Sequence, residues 1–329
     1  MVRAAHPTRT VAGILAEARG LTHSAHVSAV DRLPGLLRRI AGYHLGWWEP
    51  DGSPLADGSG TGSGGSGGGK ALRPALTLAC AAAVSGPGGC PGGCPGGGPE
   101  AGAEADTAAV PAVILAAVAV ELIHDFSLLQ DDVMDGDSIR RGRPAAWKVF
   151  GAAQTLLTGD ALLAVALSLV SGRAQAVLAD AVVEMCEGQS SDLLCGPESG
   201  RSPLRQLAIS GQKTGALFGA ACELGALAAN ASDTAWSRAF GRSLGIAFQI
   251  ADDLADGWAE PGISLGWGRG EAHLKAAIAL SHLDAAALEP AATRDLRLLA
   301  SAVPDGLDHP RRGAEAPSPL EHPQKEIGS

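Results

Sequence analysis

Six aspartates in two copies of one spacing are the residues best placed to do chemistry in this chain. Asp131, Asp132 and Asp135 close an apolar, helix-patterned stretch, and Asp252, Asp253 and Asp256 close another. Residues four apart share a helix face with Cβ atoms about 5–6 Å apart, so Asp131 and Asp135 can grip one small cation, and Asp252 with Asp256 repeats the arrangement. Two facing carboxylate clusters suit hard, oxygen-seeking ions such as magnesium, which keeps several waters and pairs one or two carboxylates with substrate phosphates. Arg140, Arg141 and Arg143, just downstream of the first cluster, suit a diphosphate bridged to such ions. One acidic cluster by itself is ordinarily a solvated helix end. Two copies, each with an upstream Gln or His and a basic partner, read instead as a site.

Other residues fit the same chemistry. Lys70 and Arg73 follow a Gly-rich run and, three apart, share the first turn of the next helix. A lysine point charge and an arginine fork can wrap a diphosphate, although such a pair at a helix start is usually just solvated. Gln189 and Asp192 lie one turn apart in EGQSSDL, and Lys213 and Thr214 interrupt a face otherwise lined by Gly, Ala and apolar residues.

The elements that must position these residues read as helices. Hydrophobic residues make up 46% of the 329 and aromatics only 4%; with abundant Ala this favours packed helices over strands. The expected fold is all-α, a single-domain helical bundle over 8–302, with flexible insertions near 51–69 and 85–106 and a disordered tail over 303–329. Helices are expected over 8–19 and 25–45, from about Thr107 with Pro111 in its first turn, and over 151–170, 175–194, 204–229, 234–256, 271–287 and 291–302. Residues 43–50, YHLGWWEP, form an aromatic packing end. Cys80, Cys186, Cys195 and Cys222 sit in apolar helical stretches as small hydrophobes, whereas Cys90 and Cys94 belong to a low-complexity loop.

Net charge of −10 argues against nonspecific nucleic-acid binding. The uninterrupted apolar run 108–120 is shorter than the roughly 20 residues of a membrane span, and no apolar h-region accompanies Arg3 and Arg9. The expectation is a cytoplasmic protein without a transmembrane segment.

The stretches GGGKALRP, ELIHDFSLLQDDVMDGDSIRRGRP, EGQSSDL, QKTGALF and FQIADDLAD, in this order across residues 25–256, closely resemble those of the trans-polyprenyl diphosphate synthases, the class I isoprenoid synthases. The resemblance implies a bundle around a deep central cavity, a homodimer, and about three magnesium ions per site. The implied reaction condenses isopentenyl diphosphate with an allylic diphosphate. By resemblance, Asp131 and Asp135 ligate two metals and Asp252 the third, with Asp132, Asp253 and Asp256 in support. Lys70, Arg73, His124 and Arg141 clamp isopentenyl diphosphate. Arg140, Lys213 and Gln249 contact the allylic diphosphate, and Thr214, Gln189 and Asp192 line the same site. Phe126 and Ser127, five and four positions before Asp131, stand where the growing chain would run, a combination similar to geranylgeranyl diphosphate synthases. A twenty-carbon product is expected, with fifteen as runner-up. Gly266 replaces a lysine usual in the family, with Arg269 nearby, and the later helices are shortened, so weakened activity is expected. A second reading is an impaired partner subunit of an active synthase. A third, a class I terpene cyclase, fits less well with the second aspartate motif and few aromatics.

Overall fold

The computed structural model describes residues 9–55, 71–86, 110–194, 203–255 and 265–307. Along the chain these form α1 (Val11–Val30), α2 (Gly35–His44), α3 (Leu72–Ser85), α4 (Ala112–Asp135), β1 (Ile139–Arg140), β2 (Arg143–Pro144), α5 (Ala146–Phe150), α6 (Ala152–Leu169) and α7 (Gly172–Leu194). Then follow α8 (Pro203–Ser210), a π-helical turn (Gly211–Gly215), α9 (Ala216–Ala228), α10 (Ala235–Ala255), α11 (Leu265–Ala285) and α12 (Arg294–Ala302). The strands make one antiparallel hairpin, pairing Ile139 with Pro144 and Arg140 with Arg143. The architecture is all-α, as expected. Lys70, Asp256, Cys90, Cys94 and Cys195 lie outside the described residues.

Local chemistry moves several expected boundaries. Thr10 caps α1, its hydroxyl accepting from the Gly13 N–H, and the helix runs without a break through the gap expected between 19 and 25. Pro34 stands at the N-cap of α2 in extended conformation, because proline disfavours helix in the residue before it and carries no N–H. The expected 25–45 helix is therefore two. Pro111 similarly caps α4, which starts at Ala112 rather than near Thr107, and Gly136 ends it in the left-handed region at φ 74°. Helix α11 begins at Leu265, so the GWGRG segment is helical rather than a loop. Beyond α12, Val303 in a 3-10 turn is 1% exposed, so packing extends past 302.

Helix α9 is buried on all sides, the mark of a central helix. Phe218 and Cys222 face a core built with α1, α3, α10, α11 and α12. Leu217, Ala220, Ala221 and Leu224 face a second core shared with α2, α4, α6 and α7. Two glycines allow backbones to touch here: a Cβ on Gly225 would lie 2.1 Å from the Thr77 carbonyl oxygen, and one on Gly241 would lie 2.3 Å from that of Phe218. Both aspartate-bearing helices, α4 and α10, pack on α9, which thus spaces the two motifs.

Two helices, α4 and α6, are long and apolar enough to cross a membrane. The expectation from sequence counted only uninterrupted apolar residues, and α4 carries its pattern further. Its apolar window is 67% buried in the bundle, against 28% for α6. Cys80 and Cys222 are buried and Cys186 is exposed, so the last is not a core hydrophobe.

The aromatic segment after α2 packs, as expected, and also anchors the hairpin. Trp48 lies across Gly42, where a Cβ would meet the ring at 2.0 Å, and Trp47 stands edge-on to His26 at 5.2 Å. Tyr43 donates its hydroxyl to the Pro144 carbonyl at 2.8 Å. Arg143 lies 4.3 Å over the Tyr43 ring and bonds Glu49 at 3.0 Å. The hairpin bearing Arg140 and Arg141 is thereby clasped to α2.

Candidate active site

At the C-terminal end of α4, Asp131 is half-buried and its carboxyl is raised to about 6, chiefly by burial and further by Asp135, while Lys213 and Arg140 pull it down. The Asp135 carboxyl is raised as well, by desolvation and by Asp192, with Lys213 opposing. Gln189 of α7 donates to Asp135 at 3.3 Å. Carboxylates that resist ionising together are a donor set suited to a divalent cation. Asp132 turns away from them. It is 1% exposed and accepts from Arg140 Nε at 2.8 Å, while Arg140 also reaches Asp137. Asp132 and Arg140 are thus tied to one another.

The π-helical turn lies across from α7. Such single-turn insertions re-aim side chains and recur at functional sites. Lys213 Nζ stands 2.7 Å from Asp192 Oδ2, and Thr214 donates to the Gln249 side-chain oxygen at 2.6 Å. Gln249 in turn donates to Asp253 at 2.7 Å, so this turn links α7 to the second motif on α10. Gly188 permits the close approach, since a Cβ there would lie 2.9 Å from the Lys213 backbone nitrogen. Asp252 and Asp253 are half-buried on the last turn of α10, and Gly266 and Arg269 are exposed at the start of α11.

A third group gathers below the first motif. Arg73 of α3 lies 4.9 Å over the Phe218 ring, and its buried Nε has no hydrogen-bond partner among the described residues. Burial lowers its pKa, while the charges of Glu121, Asp125 and Asp252 oppose that shift. Burial, then Arg73, drives the His124 pKa well below its ordinary value, leaving a neutral imidazole. Burial and the Asp125 charge raise the Glu121 carboxyl to about 7. Arg141 adopts the left-handed region at φ 53°. Its Nη1 donates to the His44 carbonyl at 2.8 Å and its Nη2 lies 3.4 Å from Asp125 Oδ1.

Asp125 was absent from the residues singled out by sequence. Its signal was an acid inside an apolar helical pattern, beside His124. It is 1% exposed. Burial alone would raise its carboxyl, but His44, at 3.6 Å, and Arg141 hold it below the usual carboxylate range. Of the two candidate chain-length residues, Phe126 is buried with its ring 3.4 Å from the position of a Cβ on Gly159 of α6. Ser127 is half-buried and donates to the His124 carbonyl at 2.8 Å.

The structure therefore brings together Asp131, Asp135, Gln189, Asp192 and Lys213 as one group. Arg73, His124 and Arg141 make a second, and Thr214, Gln249 and Asp253 a third.

The polyprenyl synthetase family profile matches residues 65–264. Geranylgeranyl diphosphate synthase of Mycobacterium tuberculosis is 39% identical over 246 residues, covering 72% of this chain and 61% of that protein. The (2E,6E)-farnesyl diphosphate synthase of the same organism is 34% identical over 231 residues, covering 68% and 56%. The chain thus matches less than two thirds of the length of these relatives. A polyprenyl synthetase structure from Streptomyces coelicolor superposes with a TM-score of 0.73 at 28% identity, covering 89% of this chain and 99% of that one. With the family profile spanning more than half of its length, this chain belongs to the polyprenyl synthetase family.

Proposed function

We propose that this protein is a short-chain prenyltransferase that condenses isopentenyl diphosphate with an allylic diphosphate. The observation that carries the reading is the juxtaposition of a buried group, His124 of α4 with Arg73 and Arg141 beside it, with a carboxylate rim two to three turns further along α4. The pocket offers an unpartnered arginine N–H to an anion. The rim offers carboxylates to cations, and its donor set fits magnesium. Magnesium, when bound at Asp131, Asp135 and Asp252, supplies neutralising charge for a departing diphosphate.

The chain's own residues do the rest. Lys213 and Arg140 add positive charge around the allylic diphosphate, which favours ionisation of its carbon–oxygen bond. Arg73, His124 and Arg141, with Lys70, hold the isopentenyl diphosphate so that its double bond attacks the allylic carbon. Attack breaks no bond to the protein, and the proton released afterwards passes to the departing diphosphate, so no side-chain nucleophile is needed.

The same reading takes the chain from 8 through at least Val303 as one domain and places the enzyme in the cytoplasm as a homodimer. Leu157 on α6 and Val183 on α7, at 53% and 70% exposure, are apolar surface that a second copy would cover. The test incubates purified protein with magnesium, isopentenyl diphosphate and each allylic diphosphate in turn. A twenty-carbon diphosphate is the expected product, with fifteen as runner-up. Phe126→Ala should lengthen the product and Ser127→Phe shorten it. Absence of any condensation with every starter would favour the second reading, an impaired partner subunit.

A further inference from the structure

Asp125 sits where no diphosphate-binding function calls for a negative charge. It is 1% exposed in the middle of α4, next in sequence to His124 and within reach of Arg141. Three basic side chains from three other elements converge on it: Arg141 Nη2 at 3.4 Å, His44 Nε2 at 3.6 Å and His26 Nε2 at 3.9 Å. Among the described residues the Nε2 atoms of His26 and His44 and the Oδ2 of Asp125 have no hydrogen-bond partner, and Arg141 and the His44 near-contact hold the carboxylate. Arg141 is meanwhile kept in a conformation that a non-glycine residue seldom adopts, at φ 53°. Strain of that kind persists where surroundings over-determine it. The surroundings here are two acceptors for one guanidinium, the His44 carbonyl on Nη1 and Asp125 on Nη2.

We propose that Asp125 is a positioning residue for the isopentenyl-diphosphate site, fixing Arg141 by one edge of its guanidinium so that the rest of the fork is aimed at the incoming diphosphate. The inference rests on the function proposed above, because it assigns Arg141 to that substrate. A buried carboxylate so close to an anion site would by Coulomb's law alone weaken anion binding. The positioning role predicts the opposite sign for its removal, which makes the two accounts separable.

The experiment measures KM for each substrate and kcat in Asp125→Asn, alongside thermal melts of the same preparations. The expected result is a KM for isopentenyl diphosphate raised by about 10-fold or more, the scale of one misaligned charge-assisted hydrogen bond, with allylic KM and kcat within about two-fold. A KM for isopentenyl diphosphate that falls or stays at the wild-type value in a folded protein overturns the proposal. Should Asp125→Asn not fold, Arg141→Lys decides, since it keeps the charge but cannot engage both the His44 carbonyl and Asp125 while presenting a fork. The same rise is expected there, and a wild-type KM overturns the idea. If wild type condenses no substrate pair, the functional reading fails first, and inorganic pyrophosphate binding followed by calorimetry takes over. Weaker binding in the variants by about 10-fold would then sustain the positioning role, and equal binding would end it.

Discussion

Two regions of the site, successive along α4 but on different sides of it, treat charge in opposite ways. Around Asp125 the protein answers its own charges: one carboxylate meets Arg141 and two imidazoles, and Glu121 keeps its proton up to about pH 7. That pocket is buried, and among the described residues the Arg73 Nε–H is one of its donors without a partner. Around Asp131 and Asp135 the balance tips the other way. Those two and Asp192 all draw on Lys213, and the Asp131 and Asp135 carboxyls are raised despite it. On the proposed function the first region receives an anion and the second cations. On that function, one diphosphate with its metal ions would be held at the rim while a second sits in the buried pocket.

The largest effects should come from emptying the cation-seeking region. Asp131→Ala and Asp135→Ala should each lower kcat by about 10²–10³-fold, the scale of removing one group that stabilises developing charge, with an unchanged circular-dichroism spectrum. Asp252→Ala should be the most damaging change among the second motif's aspartates. Wild-type turnover in both first-motif variants would break the contrast between the regions. Next in size, Arg73→Ala should raise KM for isopentenyl diphosphate about 30-fold, corresponding to ~2 kcal/mol for a charge-assisted contact, and leave the allylic KM nearly unchanged. Arg140→Ala should do the reverse. It should also destabilise the fold by about 1–3 kcal/mol, because Asp132 is left buried without its partner. Equal shifts for both substrates in both variants would erase the partition while leaving the site.

Those two regions were not equally legible in the sequence. The rim was, because spacing on a helix fixes that Asp131 and Asp135 share a face, while the resemblance supplied Gln189 and Asp192, one turn apart on their own helix. The all-α fold followed from composition and pattern in the same way. The dry pocket was half legible: resemblance pointed to Arg73, His124 and Arg141, but Asp125 and the imidazoles of His26 and His44 come from helices far apart in sequence. Their meeting is a tertiary fact that no local spacing encodes. The π-helical turn was invisible for a related reason, as Gly211 to Gly215 carry the ordinary helical pattern and the extra residue is accommodated by packing against Gly188. Pro34 and Pro111 did announce helix starts, yet periodic apolar residues on both sides of Pro34 outweighed it. The early start of α11 was hidden by its Gly and Trp content, which reads as a loop until Leu254 is seen against Gly268.

A smaller effect is expected at the start of α11, on the side of the cation-seeking rim. Gly266 is exposed there, and Gly266→Lys should raise turnover several-fold if an added charge near the leaving diphosphate is what the chain lacks. Steady-state kinetics at saturating substrates would show it. Wild-type turnover already in the ordinary range of about 1–10³ per second, unchanged by the substitution, would mean that the rim holds the diphosphate without that lysine.

The smallest effect tests how dry the other region is. Glu121 has its pKa raised to about 7 by burial and by Asp125, whereas an unfolded chain releases this proton near pH 4.5. Between those values the folded state binds more protons than the unfolded one, so this residue's contribution to stability is fully present below about pH 4.5 and is lost as pH rises to 7. Glu121→Gln is neutral throughout and close in shape to the protonated acid. Its melting temperature should therefore match wild type near pH 5 and exceed it by a few degrees at pH 8, with the gap opening as pH rises and flat beyond 7. A gap that stays constant with pH, or a wild type that gains on the variant as pH rises, would show that Arg73 and Arg141 keep Glu121 ionised. The pocket would then be wetter, and more like the rim, than its burial implies.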